Sequence, residues 1–367
     1  MGFSSLRFFH FRNLKDVTVR FDSASNFLVG ENGQGKSNCL EALYFLCYGA
    51  SFRTLADKDL ILTGETKAAV QGWYQSPDGV EKEIEIILTA DEPKEIRVDG
   101  KRVTDRRQIL QSIPCVIFSH EDLEFAVGPP LKKRRFFNQT LCMYDDAYLD
   151  LLRHYQRVLR QRNMSLKQRR RELLPVYNER LAEYGFAIQK KRQELVKNFS
   201  RVFQDYFQRI SGLPSPLSIV YRPSWHECDE PAACVVRLEA GMEQDHLFRT
   251  TTSGPHPDRF LYTYEGRDFS RIASTGQIRL LSIILRVAQA RFFTDCTGRR
   301  PLLLLDDVLL ELDGEKRKRF IHELPPAEQA FFTFLPVEEY RSYAVPSTSI
   351  YRVREGRIEP WSEPEIY

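Results

Sequence analysis

Gly30-Glu31-Asn32-Gly33-Gln34-Gly35-Lys36-Ser37 fits G-x-x-x-x-G-K-[ST] at every position. Its glycines let backbone N–H groups curl around phosphate oxygens, and a helix opening at the lysine adds favourable partial positive charge. The flanks supply that context. Asn26 to Val29 read as a short apolar strand, and from Ser37 onward Leu40, Leu43, Tyr44 and Cys47 recur at spacings of three and four. In such a strand, loop and helix, Lys36 reaches the β- and γ-phosphates of ATP or GTP and Ser37 holds Mg²⁺.

Phosphoryl chemistry also needs a carboxylate near the metal, and Pro301-Leu302-Leu303-Leu304-Leu305-Asp306-Asp307 reads as a buried parallel strand ending in two. Asp306 is the expected metal ligand through water, and Asp307 the group that orients or deprotonates the attacking water. Lys36 and Asp306 stand 270 residues apart, so something large is inserted between them. Ala273-Ser274-Thr275-Gly276-Gln277 opens an apolar-striped helix and resembles the L-S-G-G-Q signature of ABC-type ATPases, although a plain Ser/Thr N-cap explains the same residues. Glu311-Leu312-Asp313 matches the D-loop, and Thr333 ends the next strand, where transporters place a switch histidine. This order of parts predicts an α/β fold, an ABC-type P-loop head. Residues 1–120 and 216–367 form the head, and 121–215 an inserted, mainly helical arm.

The remaining pattern fills in this plan. Alternation at Leu6, Phe8 and His10, and at Val17, Val19 and Phe21, predicts two strands. Residues 67–99 predict an antiparallel meander with turns at Ser76-Pro77-Asp78-Gly79 and Asp99-Gly100. Residues 131–171 and 176–210 predict two long helices joined near Pro175, followed by strands at 217–221, 233–238 and 259–264 and a helix from Gln277 to Thr294. His256, bracketed by two prolines, reads as a turn fixture rather than a catalytic group.

Composition excludes several classes. The 367 residues are 42% hydrophobic and 28% charged, ordinary for a globular protein. Seven scattered cysteines with no C-x-x-C pair read as free thiols in a reducing cytoplasm, and no apolar run is long enough for a membrane span. The net charge of +3 conceals a strong local bias, because Lys132 to Arg171 hold twelve basic residues against three acidic ones. Lys132, Lys133, Arg134 and Arg135, with Arg153, Arg157 and Arg160 at helical spacing, are candidate sequence-independent contacts to nucleic-acid phosphates, although a solvated helix face explains any charge run.

Larger blocks carry a family resemblance. Phe11-Arg12-Asn13, the loop continuing into Asn38 and Leu40-Glu41-Ala42, Ser51-Phe52-Arg53-Thr54, Phe118 to Leu123, Arg134-Arg135-Phe136, Gln161-Arg162-Asn163 and Gly254-Pro255-His256 together resemble the RecF family of bacterial recombination mediators, over nearly the whole chain. His120, Asn138, Pro257 and Leu310 depart from the family's usual residues. The resemblance implies an ATP-gated homodimer that binds DNA at gaps or double-strand to single-strand junctions, hydrolyses ATP slowly under DNA stimulation, and helps load recombinase with RecO and RecR. It implies that Gly30 to Asn38 bind nucleotide and that Arg53 clamps its phosphates. It also implies that the Ser119 to Asp122 turn is the Q-loop, and that Ser274, Gly276, Gln277 and Asp313 act across the dimer. A transport-type ABC subunit is the rival, but it would keep Gln in the Q-loop, Glu after the strand's first Asp and His at the switch. A nuclease-coupled ABC ATPase would need more chain after Asp313.

Overall fold

The computed structural model describes residues 2–76, 78–104 and 112–361, which fold as two compact units, Met1–Glu121 with Gly298–Tyr367, and Asp122–Thr297. The division differs from the sequence expectation. Residues 216–297, expected in the head, belong to the second unit because their strands and helices pack on the long arm helix.

In the first unit, β1 (Gly2–Phe9), β2 (Thr18–Arg20), β4 (Lys67–Gln75), β5 (Glu81–Thr89), β6 (Glu92–Val98) and β7 (Lys101–Arg102) form an antiparallel sheet in the order β2-β1-β4-β5-β6-β7. The expected meander is present, although Pro77 of its first turn lies outside the described residues. β3 (Ser25–Val29), β8 (Cys115–Phe118), β12 (Leu302–Leu305), β13 (Ala330–Phe334), β14 (Thr348–Arg354) and β15 (Arg357–Pro360) form the second sheet, in the order β15-β14-β3-β13-β12-β8. All its pairings are parallel except β14 with β15. β3, β12 and β13 are apolar runs rather than alternations because parallel strands are covered on both faces. The helix Lys36–Tyr48 lies between the two sheets, and residues Cys39 to Cys47 are all buried, so both sides of the helix meet core.

The second unit is built on the helix Leu174–Ser211, which packs against Asp146–Lys167, Thr275–Thr297 and Pro231–Ala240. A small antiparallel sheet, β11 (Arg267–Asp268), β10 (Arg259–Tyr264) and β9 (Leu217–Arg222), completes it. Two sequence expectations fail here. Residues 233–238 are helical within Pro231–Ala240, where Pro231 occupies the first turn, which tolerates its missing N–H. The arm's first stretch is two helices, Pro130–Tyr144 and Asp146–Lys167, because Asp145 leaves helical geometry and caps the second through its side chain. The junction with the long helix falls near Pro175 as expected, with that proline in the long helix's first turn.

Buried charge organises this unit. Arg162, fully buried, donates to Asp245, Asn178 and Thr251. Arg192 donates to Asp258, Asn138 and the Pro255 carbonyl. His256 bonds Tyr155 at 2.7 Å and the Thr251 carbonyl at 2.9 Å, and burial pushes its pKa down, which bears out its reading as a turn fixture.

Candidate nucleotide site

The Gly30–Ser37 loop connects β3 to the Lys36–Tyr48 helix, as its sequence requires. A Cβ on Gly30 would fall 2.2 Å from the Val353 carbonyl oxygen, and Gly35 takes φ +114° at the helix N-cap, so neither tolerates a side chain. The Lys36 ammonium is buried and donates to the carbonyls of Gly30 at 2.8 Å and Glu31 at 3.1 Å, which places it across the mouth of the loop. The turn between β14 and β15 clasps the loop from outside. Glu355 N donates to Gln34 Oε1 and Gly356 N to the Gln34 carbonyl, at 2.6 and 2.9 Å.

β12 delivers its carboxylates beside the loop. The Ser37 hydroxyl donates to Asp306 Oδ1 at 2.7 Å, joining the two expected metal ligands. Burial pushes the Asp306 carboxyl up to about 6, with the Ser37 hydrogen bond opposing and the Asp307 charge reinforcing that shift. Asp307 sits at φ +52°, a left-handed conformation costing a non-glycine residue about 1 kcal/mol. Thr333 holds it there, accepting from Asp307 N at 2.7 Å and donating to Asp307 Oδ1 at 2.8 Å. The residue at the switch position therefore grips the expected catalytic carboxylate directly. A hydroxyl and a partly desolvated carboxylate sharing a hydrogen bond are hard oxygen donors, and they fit Mg²⁺.

A polar belt ties the loop to the first strands. Asn13 Nδ2 donates to the Gly33 carbonyl, Asn38 Nδ2 to Asn13 Oδ1, and Arg53 to Asn38 Oδ1 at 2.8 Å. Arg53 also lies 3.6 Å from Glu41, a fully buried carboxylate that takes a two-pronged bond from Arg12 at 2.9 Å and a hydroxyl bond from Ser51. Arg53 is thus anchored at the loop yet remains more than a third exposed. Arg12, Asn13, Glu41 and the Glu355-Gly356 turn carried no site assignment from the sequence. The first three lay in family-like blocks without a chemical signature of their own, and the last is separated from the loop by the whole chain.

Comparison with known proteins agrees with this geometry. The family model described as RecF/RecN/SMC N terminal domain matches residues 3–353. The DNA replication and repair protein RecF of Treponema pallidum (strain Nichols) is 39% identical over 349 residues, covering 95% of this chain and 98% of that protein. The chain belongs to the RecF family. Another member, from Halalkalibacterium halodurans, is 31% identical over 360 residues, covering 95% of this chain and 96% of its own. A solved structure described as the recombination mediator protein RecF with ATP in the RecFOR pathway superposes with a TM-score of 0.89 at 29% identity, covering 98% of both chains. An Smc head bound to the C-terminal winged-helix domain of ScpA, at TM-score 0.60 and 16% identity, shares the fold.

The other RecF-like positions have contacts of their own. Ser274 and Gln277 form a reciprocal capping box at the Thr275–Thr297 helix: Ser274 N donates to Gln277 Oε1 at 2.8 Å and Gln277 N to Ser274 Oγ at 3.3 Å. Gly276 is exposed, and a Cβ there would meet nothing within 4 Å. Asp313 caps the Gly314–His322 helix and pairs with Lys316. Asp122, in the expected Q-loop turn, is buried against Arg286 at 2.7 Å. Among the expected DNA contacts, one is corrected. Lys133 is buried with its ammonium 5.0 Å above the Tyr262 ring, burial lowering its pKa, so it is an internal cation. Arg134, half-buried, donates to the Asp258 carbonyl at 2.7 Å. Lys132 pairs with Glu124 and Arg153 with Asp150, whereas Arg135, Arg157 and Arg160 are exposed.

Proposed function

We propose that this chain is an ATP-binding DNA repair protein, an ATP-gated homodimer that binds DNA at gaps or junctions and acts with RecO and RecR in loading recombinase. The observation that carries the proposal is the Ser37, Asp306, Asp307 and Thr333 cluster at the mouth of a complete phosphate loop, in a chain of the RecF family.

Lys36 and the loop N–H groups would hold the phosphates, and Ser37 and Asp306 the Mg²⁺. Bound there, Mg²⁺ would supply positive charge to neutralise the phosphate oxygens. Asp307, fixed by Thr333, would orient the attacking water or take its proton. Arg53 would add charge at the phosphates. Slow, DNA-stimulated hydrolysis follows if the nucleotides act mainly as a clamp between two copies. The exposed signature favours that arrangement, because nothing within the second unit requires glycine at 276, whereas a γ-phosphate approaching from a second copy would. Asp313, at the D-loop, would lie near the same interface.

The test is DNA binding and ATP turnover with ATP, ADP or no nucleotide across a salt series. Binding that tightens with ATP and weakens as salt rises supports the proposal. Equal affinity in all three nucleotide conditions would remove the gate.

A further inference from the structure

We propose that the turn between the helices Asp146–Lys167 and Leu174–Ser211, together with the cations leading to it, is the surface on which this chain holds a nucleic-acid backbone. The inference rests on the DNA-binding reading and moves the contact from the Lys132–Arg135 run to the turn that joins the two helices.

The observation is which cations are already paired. Lys132, Lys133, Arg134, Arg153 and Arg162 each have a partner inside the second unit. Arg157, Arg160, Lys167, Arg169, Arg170 and Arg171 are all exposed, and among the described residues no carboxylate pairs with any of them. No acidic residue lies between Asp150 and Glu172. Arg157, Arg160 and Lys167 recur on one face of their helix, and the last three follow in the turn. A single-sign row of this kind matches a uniformly charged polymer better than a protein surface, which alternates charge and buries apolar anchors. Five of the six are arginine, whose planar fork fits phosphate.

The turn is held by its own backbone. Gln168 N donates to the Met164 carbonyl, Arg169 N to Leu166 and Arg170 N to Ser165, at 2.9, 3.3 and 2.9 Å. Arg169 adopts φ +59°, the place where a helix C-cap ordinarily carries glycine. Arginine stands there although the backbone favours glycine.

That strain also supplies a variant that leaves the fold intact. Full-length protein carrying Lys167→Gln, Arg169→Gly, Arg170→Gln and Arg171→Gln should keep its helical signal and thermal midpoint, with Arg169→Gly alone equal to or above wild type. Binding would be read by anisotropy on a labelled gapped duplex with ATP and Mg²⁺, at about 50 to 200 mM potassium chloride. The quadruple variant should lose about tenfold or more in affinity, and its salt slope should flatten by about three. Replacing the same arginines by lysine should restore most of the slope. Lys132→Gln with Arg153→Gln, whose charges are paired, should change affinity less than about twofold. A quadruple variant with wild-type affinity and slope overturns the proposal while leaving the DNA reading standing. Loss of poly-glutamate binding with unchanged DNA binding would instead assign the turn to an acidic protein. Wild type that binds no duplex at low salt overturns both.

Discussion

Thr333 and Asp307 show how much a single hydroxyl contributes at this site. Thr333→Val keeps the shape but leaves Asp307 N without a partner and its carboxylate unanchored, a cost of about 1–3 kcal/mol. Nucleotide should still bind, turnover should fall about tenfold or more, and Thr333→Ser should restore most of it. Asp307→Asn should likewise keep binding while losing turnover, whereas Lys36→Ala should lose binding; direct nucleotide titration alongside phosphate release separates the two. Wild-type turnover in Asp307→Asn would end its assignment as the catalytic carboxylate.

Asp306 adds a pH dependence. Its pKa is raised from 3.8 to about 6, so the folded chain holds that proton more tightly than the unfolded chain. The group's contribution to stability is therefore full below about 4 and lost as pH rises through about 6. A proton on Asp306 removes the charge that would hold Mg²⁺ through water, so Mg²⁺-dependent nucleotide affinity should fall by up to about tenfold per pH unit below 6. Asp306→Asn should abolish that dependence, and a pH series of binding isotherms checks it.

At the scale of elements, the strand, loop and helix around Lys36 were legible because glycine chemistry, an apolar run and a helical period coincide within a few residues. The β12 strand and its two carboxylates were legible for the same reason. The 233–238 helix was not, because Ala233-Cys234-Val235-Val236 has β-branched residues that suit a strand, and packing on the long arm helix overrides that preference. Lys133 was misassigned because burial leaves no mark on a run of cations. The β14–β15 turn was invisible as part of the site because its partner lies more than three hundred residues away. Gly356 anchors it at φ +77°, and a Cβ there would lie 2.0 Å from the Asn13 carbonyl oxygen. Gly356→Ala should therefore displace the turn and weaken nucleotide binding several-fold with modest loss of thermal stability. Unchanged nucleotide affinity would show that the clasp is dispensable.

For the whole molecule, the central expectation is that ATP joins two copies. Ser274→Arg should leave each copy able to bind ATP but unable to pair, since the exposed capping box belongs to no packed interior. Lys36→Ala should lose both properties. Mixing the two variants should restore at most one of the two shared sites. Sedimentation of wild type with ATP, ADP and a slowly hydrolysed analogue gives the answer. A monomer in every condition at micromolar concentration, with and without DNA, would sink the shared-site mechanism.

The placement of β3 has a consequence for how the protein is made. β3 carries the phosphate loop, and its two neighbours in the sheet are β13 and β14, which come from near the other end of the chain. The turn that clasps the loop comes later still. A ribosome releasing this chain from its N-terminus has therefore delivered the whole loop and the entire arm unit before either neighbour of β3 exists. Such distant pairings form slowly, because the intervening segment must first be closed into a loop. The arm unit, whose residues are continuous, can fold during synthesis. The nucleotide site can close only once these strands have been made, so a nascent or truncated chain lacking β13 to β15 is expected not to compete for ATP.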